Sequence, residues 1–256
     1  MSFADVPRVL ILTPVKSAAR HLDRYCSLIE RLHWPAERLS VGMLEGDSTD
    51  DTPARMADVE RRLAARAHRV TMLRKDFGFQ IPAGLPRWTP AFQLARRSVI
   101  ARCRNHLLFG ALRDEDWVLW IDVDVVEYPP DTIHRLLAYR RDILHPHCVI
   151  APGGATYDLN AWAGGGKQTM HEMRGQAAPV RLQSVGGTML LVKADLHRDG
   201  LVFPPFRYGV ASPIARNPHP VWGMGEIETE GFALMAHDMG TQCWGLPDFE
   251  ILHADE

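Results

Sequence analysis

Two carboxylates stand where an apolar run ends. In WVLWIDVDVVEYPP, residues 117–130, Trp117 to Ile121 read as a buried strand, and Asp122 and Asp124 follow at once. Residues two apart on a strand share a face, so this spacing would project both carboxylates together. In an open parallel sheet, ligands bind beyond the carboxyl ends of the strands. Two hard oxygen donors there suit Mg²⁺ or Mn²⁺, completed by substrate phosphates. The plainer reading is that one of the two caps the next loop or helix and binds nothing.

Other polar residues also fall at the ends of apolar runs. Val9 to Leu12 ends in Thr13-Pro14, Leu39 to Leu44 runs into Glu45-Gly-Asp47-Ser-Thr, and the terminal run ends in His253. A stretch near residue 100 carries Arg96, Arg97, Arg102, Arg104 and Asn105, which on a helix most simply form a solvated face. Glu226, Glu228 and Glu230 open a later helical segment. On a helix Glu226 and Glu230 share a face while Glu228 points away, toward solvent. An acidic first turn also complements the helix dipole without any catalytic role.

The elements that must position these groups alternate. A strand at residues 9–12 precedes a helix marked by Leu22, Tyr25, Leu28, Ile29 and Leu32. A strand at 39–44, a helix carrying Met56, Val59 and Leu63, and a strand at 70–73 follow. This β-α-β-α-β start predicts a parallel sheet with right-handed crossovers. Residues 76–90, rich in Gly, Pro and aromatics without periodicity, read as a functional loop or lid. A helix from Pro90 to about Leu112 is expected to bury Phe92, Val99, Cys103 and Leu107. After the central strand come a helix opened by Pro129-Pro130, a strand at 148–151 and a long excursion over 152–185. A strand over 188–193, a Pro-rich loop at 207–225, a helix over 226–240 and a strand through Cys243-Trp244 lead to the tail 249–253. The expected organisation is one α/β domain, residues 1–256. Its regular part covers about 1–125 and its less regular part about 126–256.

Composition excludes several classes. A net charge of −2 gives no field for nucleic acid. Cys26, Cys103, Cys148 and Cys243 are dispersed, without a Cys-x-x-Cys pair, which fits neither a zinc cluster nor a disulfide framework. No apolar run has the length of a signal core or membrane span, so the expectation is a soluble, cytoplasmic chain. There is no Gly-x-Gly-x-x-Gly after the first strand, no Gly-Lys-Ser/Thr phosphate loop and no Gly-x-Ser-x-Gly elbow. What remains is a carboxylate pair suited to a metal-bridged diphosphate, hence to transfer from a nucleotide diphosphate, with helix arginines to assist. A nucleotidyltransferase would need a glycine- and base-rich loop where this chain has Thr-Pro-Val-Lys16-Ser-Ala.

Six ordered blocks sharpen this reading. They are ILTPVKSAARHLDRY, LEGDSTDDT, ARRSVIARCRNHLL, DWVLWIDVDVVEYPPDTI, VGGTMLLVKADLHRDGLVFPPF, and ETEGFALMA with GLPDFEILH, spanning residues 10–253. In them the chain resembles the yeast mannan-polymerase (ANP-type) glycosyltransferases, which have the GT-A nucleotide-sugar-binding fold. The resemblance implies a retaining α-mannosyltransferase using GDP-mannose and Mn²⁺ or Mg²⁺, with a carbohydrate or glycoconjugate acceptor. It also implies that the first part, about 1–125, binds nucleotide and the second, about 126–256, faces the acceptor. It places Asp122 and Asp124 at the metal and diphosphate, with His253 as a third metal ligand. Asp47 would meet base or ribose, Thr13 and Pro14 would line that pocket, and Arg102, Arg104 and Asn105 would face the nucleotide. Gly186 and Gly187, in the fifth block, join the nucleotide-sugar set. Glu230, with Glu226 beside it, would orient the acceptor hydroxyl for front-face attack, the leaving phosphate taking its proton. The yeast members carry a membrane anchor and assemble with related subunits; this chain reads as a short soluble form, and self-association stays open. Two alternatives remain: a transferase for another nucleotide-diphosphate hexose, and a non-catalytic nucleotide-sugar-binding subunit.

Overall fold

The computed structural model describes residues 6–216 and 218–255. The first half alternates as its apolar periodicity demands: β1 (Val9–Val15), α1 (Leu22–Glu30), β2 (Leu39–Glu45), α2 (Thr52–Ala64), β3 (Arg69–Arg74), α3 (Pro90–Ala111) and β4 (Trp117–Ile121). These four strands pair in parallel in the order β3-β2-β1-β4. The second half contributes β5 (Val125–Glu127), α4 (Thr132–Ala138), β6 (Ile143–Val149), β7 (Trp162–Ala163), β8 (Gln168–Thr169) and β9 (Val180–Leu182). After them come β10 (Met189–Lys193), α5 (Ala194–Arg198), α6 (Glu228–Asp238) and β11 (Cys243–His253). The sheet continues from β4 through antiparallel β10 to β6 and β11, which run in the same direction as β4. Strands β5 and β9 pair antiparallel with β11, and β7 pairs with β8 in a separate small ribbon.

Alternation along the central strands divides the core into two layers. Val9 and Ile11 of β1 join Leu119 and Ile121 of β4 under α1, α2 and α4. Leu10, Leu12, Val118 and Trp120 face the other way, under α3, α5 and α6. A continuous apolar strand is what a sheet covered on both faces requires. Trp120 is fully buried against Phe203 and His197, so its truncation would cost about 3–5 kcal/mol.

Several elements differ from the expectations above. Strand β6 starts at Ile143, because His145 and His147 interrupt its apolar pattern yet are both buried. Helix α6 begins at Glu228, so Glu226 precedes it in an extended bridge to Tyr208. Strand β11 is one continuous element whose register slips between Leu246 and Glu250, around Pro247, where a ladder donor is missing. Helix α3 buries Arg97, Ala101, Arg104 and Leu108 rather than Phe92, Val99 and Cys103, which are only partly buried. Its guanidinium-bearing face is therefore the inner one, turned toward α6. Among the described residues no helix is long and apolar enough to cross a membrane.

Candidate active site

The carboxyl ends of β1, β2 and β4 and the end of β11 open on one cleft. A cavity of about 600 Å³ holds Asp122, Asp124, Asp158, Gly187, Glu228 and His253 on its walls. A second, of about 430 Å³, is lined by Val15, Lys16, Asp47 and Cys103. The two share Pro14, Lys16, Arg96, Ile100, Arg104 and Asp122, so they form one continuous groove. Its walls carry both signs of charge, with Lys16, Arg96 and Arg104 beside Asp47, Asp122 and Asp124.

The aspartates lie just past the strand, not on it. Strand β4 stops at Ile121; the Asp122 N–H then donates to the Thr188 carbonyl at 2.9 Å, and its own carbonyl accepts from the Val125 N–H at 3.2 Å. This turn carries both carboxylates to the groove. Thr13 fixes the same corner from below: its Oγ1 donates to the Ile121 carbonyl at 2.7 Å and meets the Tyr25 hydroxyl at 2.8 Å. Buried and so engaged, Thr13 holds the wall in place and leaves the lining to Pro14.

Asp124 faces His253. Its Oδ1 lies 3.0 Å from Nε2, and His253 Nδ1 lies 2.8 Å from the Ala254 carbonyl. A neutral imidazole that donates from Nδ1 turns the Nε2 lone pair toward a carboxylate oxygen, which is stable only with a proton or a cation between them. Burial is the largest influence and would lower the imidazole, but the bond and charge of Asp124, the Ala254 carbonyl and the Asp122 charge together hold it above its ordinary range. Asp124 and His253 make an oxygen-nitrogen donor pair of a kind that Mn²⁺ or Mg²⁺ accepts, and Asp122 lines the same cavity. Asp122, pushed up to about 6 chiefly by burial, gains from any added positive charge.

From Asp122 a ladder of alternating charge runs inward. Arg104 Nη2 lies 3.0 Å from Asp122 Oδ1 and donates to the Gly187 carbonyl at 3.2 Å, while its Nε lies 3.4 Å from Glu228 Oε1. Arg97 Nη2 meets Glu228 Oε2 at 3.0 Å, and its Nη1 meets Glu230 Oε2 at 2.7 Å. Beyond lie Arg216, 2.5 Å from Glu230 Oε1, and Trp162 Nε1, which donates to the same oxygen at 3.2 Å. Burial opposes ionisation of Glu230, but His219, Arg97 and Arg216 hold its carboxyl below the usual range. Glu228 is the member on the groove wall, and its backbone is left-handed, at φ +57°. A non-glycine residue in that region costs on the order of 1–3 kcal/mol, and such strain collects at functional sites.

The remaining sequence candidates divide. Asp47, also left-handed at φ +57°, lines the groove, and its carboxylate accepts the Phe77 and Gly78 N–H groups at 3.0 and 2.9 Å. Although burial pushes that carboxyl up, these donors hold it below the ordinary range. Arg102 instead points outward and covers the Phe77 ring at 5.1 Å. Asn105 clamps the Phe203 backbone, donating at 2.7 Å and accepting at 2.9 Å. Glu226 and Glu230 sit behind the groove wall beside His219. The expectation that Glu228 faces solvent fails, because the helix starts two residues later than its acidic run and turns Glu228 inward.

Asp158 has no forecast in the sequence. It lies in the irregular excursion, accepts the Gly187 and Thr188 N–H groups at 2.8 and 3.2 Å, and takes the Thr188 hydroxyl at 3.1 Å. A Cβ at Gly186 would overlap this carboxylate, and one at Gly187 would overlap Arg104 Nη2. The glycine pair thus permits two charged groups to approach the backbone closely. Only the bare Gly-Gly spacing could have signalled that need.

The family profile described as Anp1 matches residues 2–174 and 166–207. The chain belongs to the Anp1 family. It is 28% identical to the mannan polymerase complex subunit MNN9 of Candida albicans over 97% of this chain and 75% of that protein. To the mannan polymerase complex subunit mnn9 of Schizosaccharomyces pombe it is 29% identical, over 97% and 80%. To the mannan polymerase II complex ANP1 subunit of Saccharomyces cerevisiae it is 26% identical, over 97% and 55%. In three dimensions it resembles the mannosyltransferase PcManGT of Pyrobaculum calidifontis, solved with GDP-Man and Mn²⁺. There the TM-score is 0.59 at 18% identity, over 97% of this chain and 57% of that one. Staphylococcus aureus TarS 1–349 with UDP aligns at a TM-score of 0.55 and 12% identity, over 95% and 59%. The chain thus spans more than half, but under two thirds, of these two solved chains. This Anp1 member has the GT-A glycosyltransferase fold.

Proposed function

We propose that this Anp1 member is a metal-dependent, retaining α-mannosyltransferase that moves mannose from GDP-mannose to a carbohydrate or glycoconjugate. The observation that carries the reading is the Asp124–His253 pair at 3.0 Å with Asp122 on the wall of the same groove, beside Lys16, Arg96 and Arg104. One domain would serve both substrates, residues 1–125 holding the donor and 126–256 facing the acceptor. Asp124 and His253 would hold Mn²⁺ or Mg²⁺, with Asp122 joining them directly or through water. That ion would supply charge neutralisation on the leaving diphosphate. Lys16, Arg96 and Arg104 would add fixed positive charge along the groove. Asp47 would sit at the nucleoside end. Glu228 would face the transferred sugar, and Glu230, through Arg97, would position it. Retention would follow from front-face attack, the leaving phosphate oxygen accepting the acceptor proton.

A donor screen by released nucleotide tests this reading, with GDP-mannose against UDP-hexoses, with and without Mn²⁺. GDP-mannose turnover that EDTA abolishes is the expected result, and Asp124→Ala should remove it while circular dichroism shows the fold retained, with a lower Tm from the lost His253 bond. Normal turnover by Asp124→Ala would reject the metal assignment. A second reading draws on the relatives, whose names make them subunits of polymerase complexes: the chain binds the nucleotide sugar for a partner. Metal-dependent GDP binding without turnover across acceptors would favour it.

A further inference from the structure

Three of the large apolar side chains left exposed on this protein stand on the groove that holds the aspartates. Trp88 is 71% exposed, Leu159 66% and Ile150 44%, and all three line the 600 Å³ cavity. Exposed apolar groups gathered at one cleft mark a binding surface, whereas scattered ones need no explanation. Asn160 and Asp255 bring hydrogen-bonding groups to the same cavity. An indole that shares a cavity with amide and carboxylate groups matches a ligand with an apolar ring face and a hydroxylated rim. A pyranose has that form: C–H bonds project from its faces, and hydroxyls point outward around it.

The chain on either side of Trp88 is anchored. The preceding Arg87 donates to the Tyr157 hydroxyl, and the following Thr89 bonds the Pro86 carbonyl through its N–H at 3.0 Å and its hydroxyl at 2.7 Å. Tyr157 stacks on His253 with centroids 3.9 Å apart, and His253 is the partner of Asp124. The segment that carries Trp88 is therefore tied through Arg87 and Tyr157 to the proposed metal site. An aromatic side chain with only two torsions loses little entropy when a ligand covers it.

We propose that Trp88, Leu159 and Ile150 form the acceptor subsite, where the C–H face of a pyranoside stacks on the indole while Asn160 and Asp255 bond its hydroxyls. The assignment rests on the glycosyl-transfer reading of the groove. It adds the surface that selects the acceptor, an exposed indole with two aliphatic neighbours on one wall of the cavity.

The test uses the full chain with GDP-mannose, Mn²⁺ and α-linked mannobiose as acceptor, comparing wild type with Trp88→Ala and Trp88→Phe. Trp88→Ala should raise the mannobiose KM at least about tenfold, equivalent to about 1.4 kcal/mol. Trp88→Phe should recover most of that loss, and calorimetric GDP affinity should be unchanged in both. An unchanged mannobiose KM overturns the proposal. So does a parallel fall in GDP affinity, which would put Trp88 on the donor side. Affinity for alkyl mannosides set by chain length instead of the sugar would also overturn it, giving the wall to a lipid. Should wild type transfer to no acceptor, saturation-transfer NMR with methyl α-D-mannopyranoside separates the two claims. Saturation lost in Trp88→Ala keeps the subsite while transfer fails, and no saturation in wild type removes the subsite itself.

Discussion

Replacing Arg97 by leucine removes the cation that joins two buried carboxylates. The guanidinium side chain is 8% exposed, Glu228 6% and Glu230 1%, so solvent cannot substitute for it. Its bonds at 2.7 Å to Glu230 and 3.0 Å to Glu228 vanish, as do those to the Ile227 carbonyl at 3.2 Å and Thr229 Oγ1 at 3.3 Å. Breaking a buried pair by removing one partner costs about 3–5 kcal/mol. Glu230 keeps Arg216 and Trp162, and Glu228 keeps Arg104, so the low end, about 3 kcal/mol, is expected. For a chain of 256 residues the unfolding entropy is roughly 0.5 kcal/mol per degree, which converts that loss to a fall of about 6 °C in Tm. Denaturant titration and calorimetry measure it, and a double-mutant cycle with Glu230→Gln should return a coupling of about 2 kcal/mol. Arg97→Lys should recover only part, since one ammonium cannot reproduce a fork spanning two carboxylates. A loss below about 1 kcal/mol for Arg97→Leu, or additivity in the cycle, would refute the ladder as a linked unit.

The other predictions concern pH and close packing. His197 is lowered to about 4 by burial; its Nδ1 lies 2.7 Å from the Leu201 carbonyl and Trp120 Nε1 donates to its Nε2 at 3.4 Å. That stabilisation is complete above the unfolded value near 6.5 and is lost as pH falls toward 4, a loss of roughly 3 kcal/mol. His197→Gln should flatten this limb of the Tm–pH curve. Glu226, raised by burial and then by Glu230, favours the folded state below its ordinary range and loses that contribution as pH rises through neutrality. Glu226→Gln should therefore lose the alkaline decline without falling below wild type at pH 5, and thermal melts across pH 5–9 would show it. Gly187→Ala should push Arg104 off Asp122, costing about 1.5–3 kcal/mol of charge-assisted bonding. Weaker nucleotide binding in that variant, read by calorimetry, would accompany the lower Tm.

What the sequence disclosed followed from local pattern. The β-α-β rhythm of residues 9–74 needs only neighbours along the chain, and β1, α1, β2, α2 and β3 lie where that pattern places them. Asp122, Asp124 and His253 were visible because strand ends in such a sheet face one crevice, and they do line it. Helix α3 defeated the same logic. Its arginines are spaced as a solvated face would be, and only the acidic start of α6, some 130 residues later, makes that face an inner one. Glu228 was misplaced for a related reason. Helical periodicity assigns faces correctly only from the true first residue, and a left-handed φ at that residue turns its side chain toward the arginines. Asp158 sits in an excursion with no period at all, so its bonds to the Gly187 and Thr188 amides existed only once the chain had folded. The unforeseen residues are thus the ones whose partners are remote in sequence. Arg97 is one of them; with Arg104, which the family resemblance did place at the groove, it lets the carboxylates of Asp122, Glu228 and Glu230 lie close together.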